Sequence, residues 1–127
     1  MRAGSPARLP AMPKATLCIV GLGYVGLPLA HCFAKAGYAV IGYDISAERI
    51  RELEQGKDRT RELSEAQLKE AKIRFSTDPA VIGQADIVIL AIPTPIDANN
   101  NPDLTPVENA SRTVGKHMKK GSIIVYE

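Results

Sequence analysis

Two hydrophobic rhythms alternate along this chain: short unbroken apolar runs, then stretches where apolar residues return every three or four positions. The first run, residues 15–20 (ATLCIV), stops at Gly21 and predicts a buried strand. Val25, Leu29, Cys32, Phe33 and Ala36 then follow helical spacing, with Pro28 in the first turn and Gly37 as the stop. Residues 38–43 (YAVIGY) predict a second strand, closed by Asp44. Ser46 is set to N-cap a helix that carries Ile50 and Leu53 on one face and ends at Gly56. Ser64 and Gln67 have capping-box spacing for a short helix with Leu68 and Ala71 inward. Residues 73–76 predict a brief third strand, and Asp78 with Pro79 starts a one-turn or two-turn helix ending at Gly83.

Residues 86–92 (DIVILAI) are apolar on both faces, the pattern of a strand in the middle of a parallel sheet covered by helices. A loop rich in Pro, Asn and Asp follows over residues 93–104. Thr105 and Glu108 have capping-box spacing, with Pro106 at the first helical position, for a helix burying Val107, Ala110, Val114 and Met118. Lys116, Lys119 and Lys120 suit the negative end of its dipole, and Gly121 stops it. Residues 122–126 (SIIVY) predict a last strand. Five strands alternating with helices through mostly short turns imply an α/β fold: a parallel sheet with right-handed crossovers, ordered 3-2-1-4-5, the first half and a little more of a doubly wound architecture.

Composition narrows this picture without changing it. The chain has 127 residues, a length suited to one domain, with 45% apolar and 24% charged residues. These values exclude collagen-like, disordered and disulfide-stapled classes. The formal charge of +2 is uneven: residues 1–14 carry Arg2, Arg8 and Lys14 and no acid, while the remainder is close to neutral. No basic stripe in the body points to nucleic acid, and no apolar run reaches membrane-span length. Residues 1–13, rich in Pro, Ala, Gly, Ser and Arg, read as a disordered leader, and residues 14–127 as the folded domain. The leader lacks the apolar core of a signal peptide, so a cytoplasmic protein is expected.

The chemistry is concentrated in Gly21-Leu22-Gly23-Tyr24-Val25-Gly26. This G-x-G-x-x-G follows a predicted strand and opens a predicted helix, and an acid, Asp44, ends the next strand 18 residues after Gly26. Each glycine has a mechanical task. Gly21 makes the tight turn, Gly23 lets a pyrophosphate approach the backbone, and Gly26 brings helix and sheet close. Tyr24 and Val25 offer backbone N–H groups, and the helix N-terminus offers partial positive charge. A carboxylate at Asp44 accepts from the adenosine ribose hydroxyls and repels a 2′-phosphate, which points to NAD rather than NADP. Arg49 is read as a solvated helix position beside the adenine. Pro93 and Thr94 follow the fourth strand, where the switch-point rule puts a loop against the cofactor, and Glu127 ends the fifth strand on the same edge. Cys18 and Cys32 lack a Cys-x-x-Cys spacing and read as core residues, and His31 and His117 as isolated helix positions. No cluster has metal-ligand spacing.

Residues 19–30 (IVGLGYVGLPLA) resemble the opening of the UDP-glucose/GDP-mannose dehydrogenase family, and the Tyr-Val-Gly-Leu-Pro run is far more specific than the glycines alone. Gly42-Tyr43-Asp44-Ile45 with Arg49, residues 92–97 (IPTPID), Pro102-Asp103-Leu104 and Val125-Tyr126-Glu127 are similar to further family blocks. Residues 56–60 (GKDRT) with Glu62 resemble members acting on UDP-N-acetylhexosamines such as UDP-N-acetylglucosamine. The resemblance implies a Rossmann-like NAD-binding domain and assigns Gly21, Gly23, Tyr24, Val25, Gly26, Asp44, Arg49 and Thr94 to the cofactor. It implies a reaction in which a nucleotide-sugar 6-hydroxyl becomes a carboxylate in two NAD-dependent steps, in polysaccharide biosynthesis, by a homo-oligomeric enzyme. The family's catalytic residues correspond to positions beyond Glu127, as do its sugar-nucleotide contacts. Two expectations follow: the NAD-binding part of such an enzyme, inactive alone, or a self-standing NAD-binding or interaction module without catalysis. The apolar last strand, with Ile123, Ile124 and Val125 on an edge, favours the first.

Overall fold

A computed structural model of the chain describes residues 14–127; the expected leader lies outside the described residues. Five parallel strands form one sheet, its strands in the spatial order 3-2-1-4-5, as the sequence reading expects. They are β1 (Thr16–Val20), β2 (Ala39–Tyr43), β3 (Ile73–Ser76), β4 (Ile87–Leu90) and β5 (Ile123–Tyr126). Register is continuous across the centre: Cys18 pairs with Ile41 on one side and Val88 on the other, and Val88 with Ile124.

The period of two along each strand divides the core into two layers. Leu17, Ile19, Val40 and Ile89 face one side, with Leu27 and Ala30 of α1 (Gly26–Lys35), Ile50 and Leu53 of α2 (Ala47–Glu54), and Leu68 of α3 (Glu65–Glu70). Cys18, Val20, Ile41, Val88 and Leu90 face the other, against Val81 and Ile82 of a 3₁₀ helix (Pro79–Gln84) and Val114 of α4 (Thr105–His117). Both faces of β1 and β4 are thus buried, which is why their sequences are apolar without alternation.

Local signals behave as written in several places. Ser46 Oγ accepts from the Arg49 amide, Ser64 and Gln67 form a complete capping box, and Asp78 caps the 3₁₀ helix at Ala80 N. Gly37, Gly56 and Gly121 all have positive φ at turns. Three expectations are overturned. The inward face of α1 runs through Gly26, Leu27 and Ala30, whereas Val25, Cys32 and Ala36 are exposed. The reason is Gly26: a Cβ there would lie 1.7 Å from Gly21 O, so that position must face the strand, and it sets the rotation of the helix. Cys32 is therefore a surface residue; only Cys18 lies in the core, where burial pushes its thiol up to about 12.

The third correction concerns α4. Thr105 is its first residue, not its cap; the cap position falls on Leu104, whose side chain makes no capping hydrogen bond. Asp103 Oδ1 accepts the Thr105 N–H instead, because the helix begins one residue earlier than the box spacing supposes. Val114 is fully buried on α4, Val107 and Ala110 half-buried, and Met118 exposed past the helix end. Ala71 likewise falls at the C-cap of α3 and is half-buried.

Candidate functional site

The carboxyl ends of β1 and β4 meet where the order of crossovers reverses, and the glycine-rich loop leaves from this point. Gly21 N donates to Tyr43 O at 2.8 Å, and Ala91 N to Val20 O at 2.8 Å, so the loops after β1, β2 and β4 converge. Gly21 has φ +98°, and a Cβ on it would stand 2.6 Å from Ala91 O. The turn thus requires glycine for both conformation and space.

The three glycines differ sharply in what surrounds them. Gly21 and Gly26 are hemmed by backbone, whereas a Cβ on Gly23 would meet nothing within 4 Å. No local packing explains a glycine at position 23; its bareness faces open space at the mouth of the crevice. Among the described residues, the amides of Gly23, Tyr24, Val25 and Gly26 donate to no acceptor. These are the free N–H groups of a helix N-terminus, and no acidic side chain occupies the first turn of α1. Tyr24 and Val25 are 69% and 54% exposed, so this rim is open. A bare glycine beneath an array of unpaired amides fits a pyrophosphate.

Asp44 caps the neighbouring loop. Its Oδ2 accepts from Leu22 N at 2.9 Å, inside the glycine-rich turn, and Oδ1 accepts from Ser46 N at 2.9 Å. Each oxygen keeps a second lone pair for a ligand. Ile45, next along the chain, is 87% exposed at the same mouth and offers apolar surface to a flat ring.

Arg49 corrects the reading of a solvated position. It is 7% exposed. Its Nε donates to Leu22 O at 2.7 Å, Nη1 to Glu52 Oε1 at 2.6 Å, and Nη2 lies 3.0 Å from Asp58 Oδ1. The Asp58 side chain is wholly buried. Burial would raise its carboxyl, but hydrogen bonds from the Thr60 hydroxyl and the Leu63 and Thr60 amides, with the Arg49 guanidinium beside it, outweigh this and lower it to about 2. Neither Glu52 nor Asp58 was singled out for the site from sequence. Asp58 and Thr60 have the spacing of an Asx turn, the one local hint that the loop folds around a carboxylate.

Pro93 and Thr94 are exposed directly after the buried end of β4, on the side of Gly21. Asp103 N donates to Pro95 O at 2.7 Å, which pins the return of the long loop. Glu127 N donates to Leu90 O at 3.0 Å, so Glu127 stands at the same sheet edge, one strand further out. The cradle therefore gathers Gly21, Gly23, Tyr24, Val25, Gly26 and Asp44, with Pro93 and Thr94 across the switch point. Arg49 lies beneath it and Glu127 at its margin. Among the described residues no group of His, Cys, Asp and Glu could hold a metal ion. No helix there is long and apolar enough to cross a membrane.

A family model described as the NAD binding domain of the UDP-glucose/GDP-mannose dehydrogenase family matches residues 15–127. Protein CapL of Staphylococcus aureus is 47% identical over 111 residues, which cover 87% of this chain and 26% of that protein. A UDP-N-acetyl-D-glucosamine 6-dehydrogenase of Pseudomonas aeruginosa is 46% identical over 117 residues, covering 91% of this chain and 28% of that protein. Among solved structures, a UDP-D-ManNAc dehydrogenase of Pyrococcus horikoshii superposes with a TM-score of 0.82 at 33% identity, covering 88% of this chain and 28% of that one. The chain thus spans about a quarter of the length of these relatives.

Proposed function

The chain belongs to the UDP-glucose/GDP-mannose dehydrogenase family and carries its NAD-binding domain, and from that premise we propose that the glycine-rich crevice is the NAD site of a nucleotide-sugar 6-dehydrogenase. In this reading the whole enzyme oxidises the 6-hydroxyl of a UDP-sugar to a carboxylate in two NAD-dependent steps. The observation that carries the site is Gly23, which is bare toward open space amid amides that have no acceptor among the described residues.

NAD, when bound, supplies the hydride acceptor. The residues of this chain bind and orient it. Tyr24, Val25 and Gly26 offer amides to the pyrophosphate, reinforced by the positive end of α1. Asp44 accepts from the adenosine ribose hydroxyls on lone pairs left free by Leu22 and Ser46, and its charge disfavours a 2′-phosphate. Pro93 and Thr94 wall the other side, and Glu127 lines the margin. No residue of this chain is assigned a catalytic step on the sugar.

A UDP-N-acetylhexosamine is the favoured substrate class, supported by the name of the 46%-identical relative and by the Asp58–Glu62 block. A cytoplasmic location is part of the same proposal, consistent with two cysteines that stay unpaired. So is assembly of the whole enzyme as a homo-oligomer that serves polysaccharide synthesis. The test is an NADH-release assay on UDP-N-acetylglucosamine with this chain alone, alongside an NAD titration. The expected result is binding without turnover; turnover would overturn the assignment of this chain to cofactor binding only.

A further inference from the structure

The loop that receives the pyrophosphate is held from below at a single residue. Leu22 has its amide N–H on Asp44 Oδ2 and its carbonyl on Arg49 Nε, at 2.9 and 2.7 Å. Its side chain is fully buried, in space left by Gly42, where a Cβ would come within 3.1 Å of it. Nothing about Leu22 is free to turn.

The peptide joining Leu22 to Gly23 is planar and trans, so its N–H points opposite to its C=O. A guanidinium that fixes the Leu22 carbonyl therefore fixes the Gly23 amide, aimed the other way, toward the open mouth. The guanidinium is itself fixed. Glu52 Oε1 takes Nη1 and the buried Asp58 carboxylate takes Nη2, though without good angular alignment, which leaves that nitrogen without a true hydrogen bond. Asp58 is anchored in turn by the Thr60 hydroxyl and by the amides of Thr60, Glu62 and Leu63.

We propose that Arg49, buttressed by Asp58, is a positioning residue that orients the Gly23 amide for the cofactor's phosphates, and that the loop after α2 sets NAD affinity without touching NAD. This rests on the reading of the crevice as the NAD site, and it adds the role of a strut to the cofactor contact that the family resemblance implies for Arg49. A planar fork is what the arrangement needs: one arm reaches the glycine-rich loop while the others stay on two carboxylates. Lysine, with one nitrogen, cannot serve all three.

The test compares the wild-type chain with Arg49→Lys, Asp58→Asn and the milder Glu52→Ala, by calorimetric titration with NAD and NADP and by amide NMR spectra without ligand. The expected result is NAD affinity lowered about tenfold or more in Arg49→Lys and Asp58→Asn. Glu52→Ala is expected to show a smaller loss in the same direction. The NAD-to-NADP ratio stays unchanged throughout, and the Gly23 amide resonance moves in the unliganded variants. The Arg49 and Asp58 effects are expected to be non-additive in the double variant, as one unit requires. Folded variants that bind NAD like wild type, or a Gly23 resonance that does not move, overturn the inference. A changed NAD-to-NADP ratio on Arg49→Lys overturns it as well, since Arg49 would then read the ribose directly. A wild-type chain that binds no NAD overturns the cofactor reading first and the inference with it. Should Asp58→Asn not fold, Glu52→Ala decides, because that side chain is partly solvated.

Discussion

Gly23 and Gly26 stand in one motif, yet they answer to different forces. Alanine at 26 would drive a methyl to 1.7 Å from Gly21 O, against backbone that cannot step aside. Gly26→Ala is therefore expected to lower stability by about 2 kcal/mol or more, in the range of severe backbone and overpacking effects. Alanine at 23 meets nothing within 4 Å. Gly23→Ala is expected to melt within about 0.5 kcal/mol of wild type while losing NAD affinity, because its methyl would occupy the ligand's space. Thermal melts and a titration on both variants check the split. Equal stability losses would mean that Gly23 is a packing glycine. The motif announced the three glycines as a set; only the surroundings separate the structural pair from the one that faces open space. Arg49 shows the opposite limit. Besides Glu52 on its own helix, its partners lie 27 residues back, at Leu22, and nine ahead, at Asp58. No local pattern signals such a burial, and a helical arginine three residues after a cap reads as solvated.

At the scale of elements, strand order and crossovers were legible because both faces of β1 and β4 are buried and written as continuous apolar runs. Helix faces were less so. The spacing Val25-Leu29-Cys32-Phe33 is as helical as Leu27-Ala30-Ala34, and periodicity alone does not choose between them. The close approach at Gly26 chooses. For α4, box spacing was misleading, since Asp103 rather than Thr105 serves the first turn. Asp103→Ala is expected to cost about 1 kcal/mol and Thr105→Ala clearly less, reversing the order that Thr105 as cap would give. Denaturant melts of the two variants distinguish these outcomes. The connection from α2 to α3 carries a pH signature. Asp58 sits at about 2 in the folded chain against an ordinary 3.8. A lowered folded value favours folding above the ordinary pKa, and that contribution fades as pH falls from about 4 toward 2. It is worth on the order of 2 kcal/mol. Acid titration of stability should therefore show a loss in this window that Asp58→Asn abolishes; an unchanged profile in that variant would contradict the anchored carboxylate.

At the scale of the whole molecule, the sheet converges its loops on one edge. β1 ends in the glycine turn, β2 in Asp44, β4 beside Pro93 and Thr94, and β5 at Glu127. Folding the sheet builds the crevice, so affinity and stability are joined through Leu22, Asp44 and Arg49. The proposed function requires this edge to bind NAD and Asp44 to discriminate it from NADP. Calorimetric titration of the wild-type chain and of Asp44→Ala with both dinucleotides decides it. The expected result is one NAD site per wild-type chain with NADP bound more weakly, and a preference that relaxes in Asp44→Ala. Its melting point should also fall, since the Leu22 and Ser46 amides lose their acceptor. A folded wild-type chain that binds no NAD, or an Asp44→Ala variant whose preference is unchanged, would contradict it.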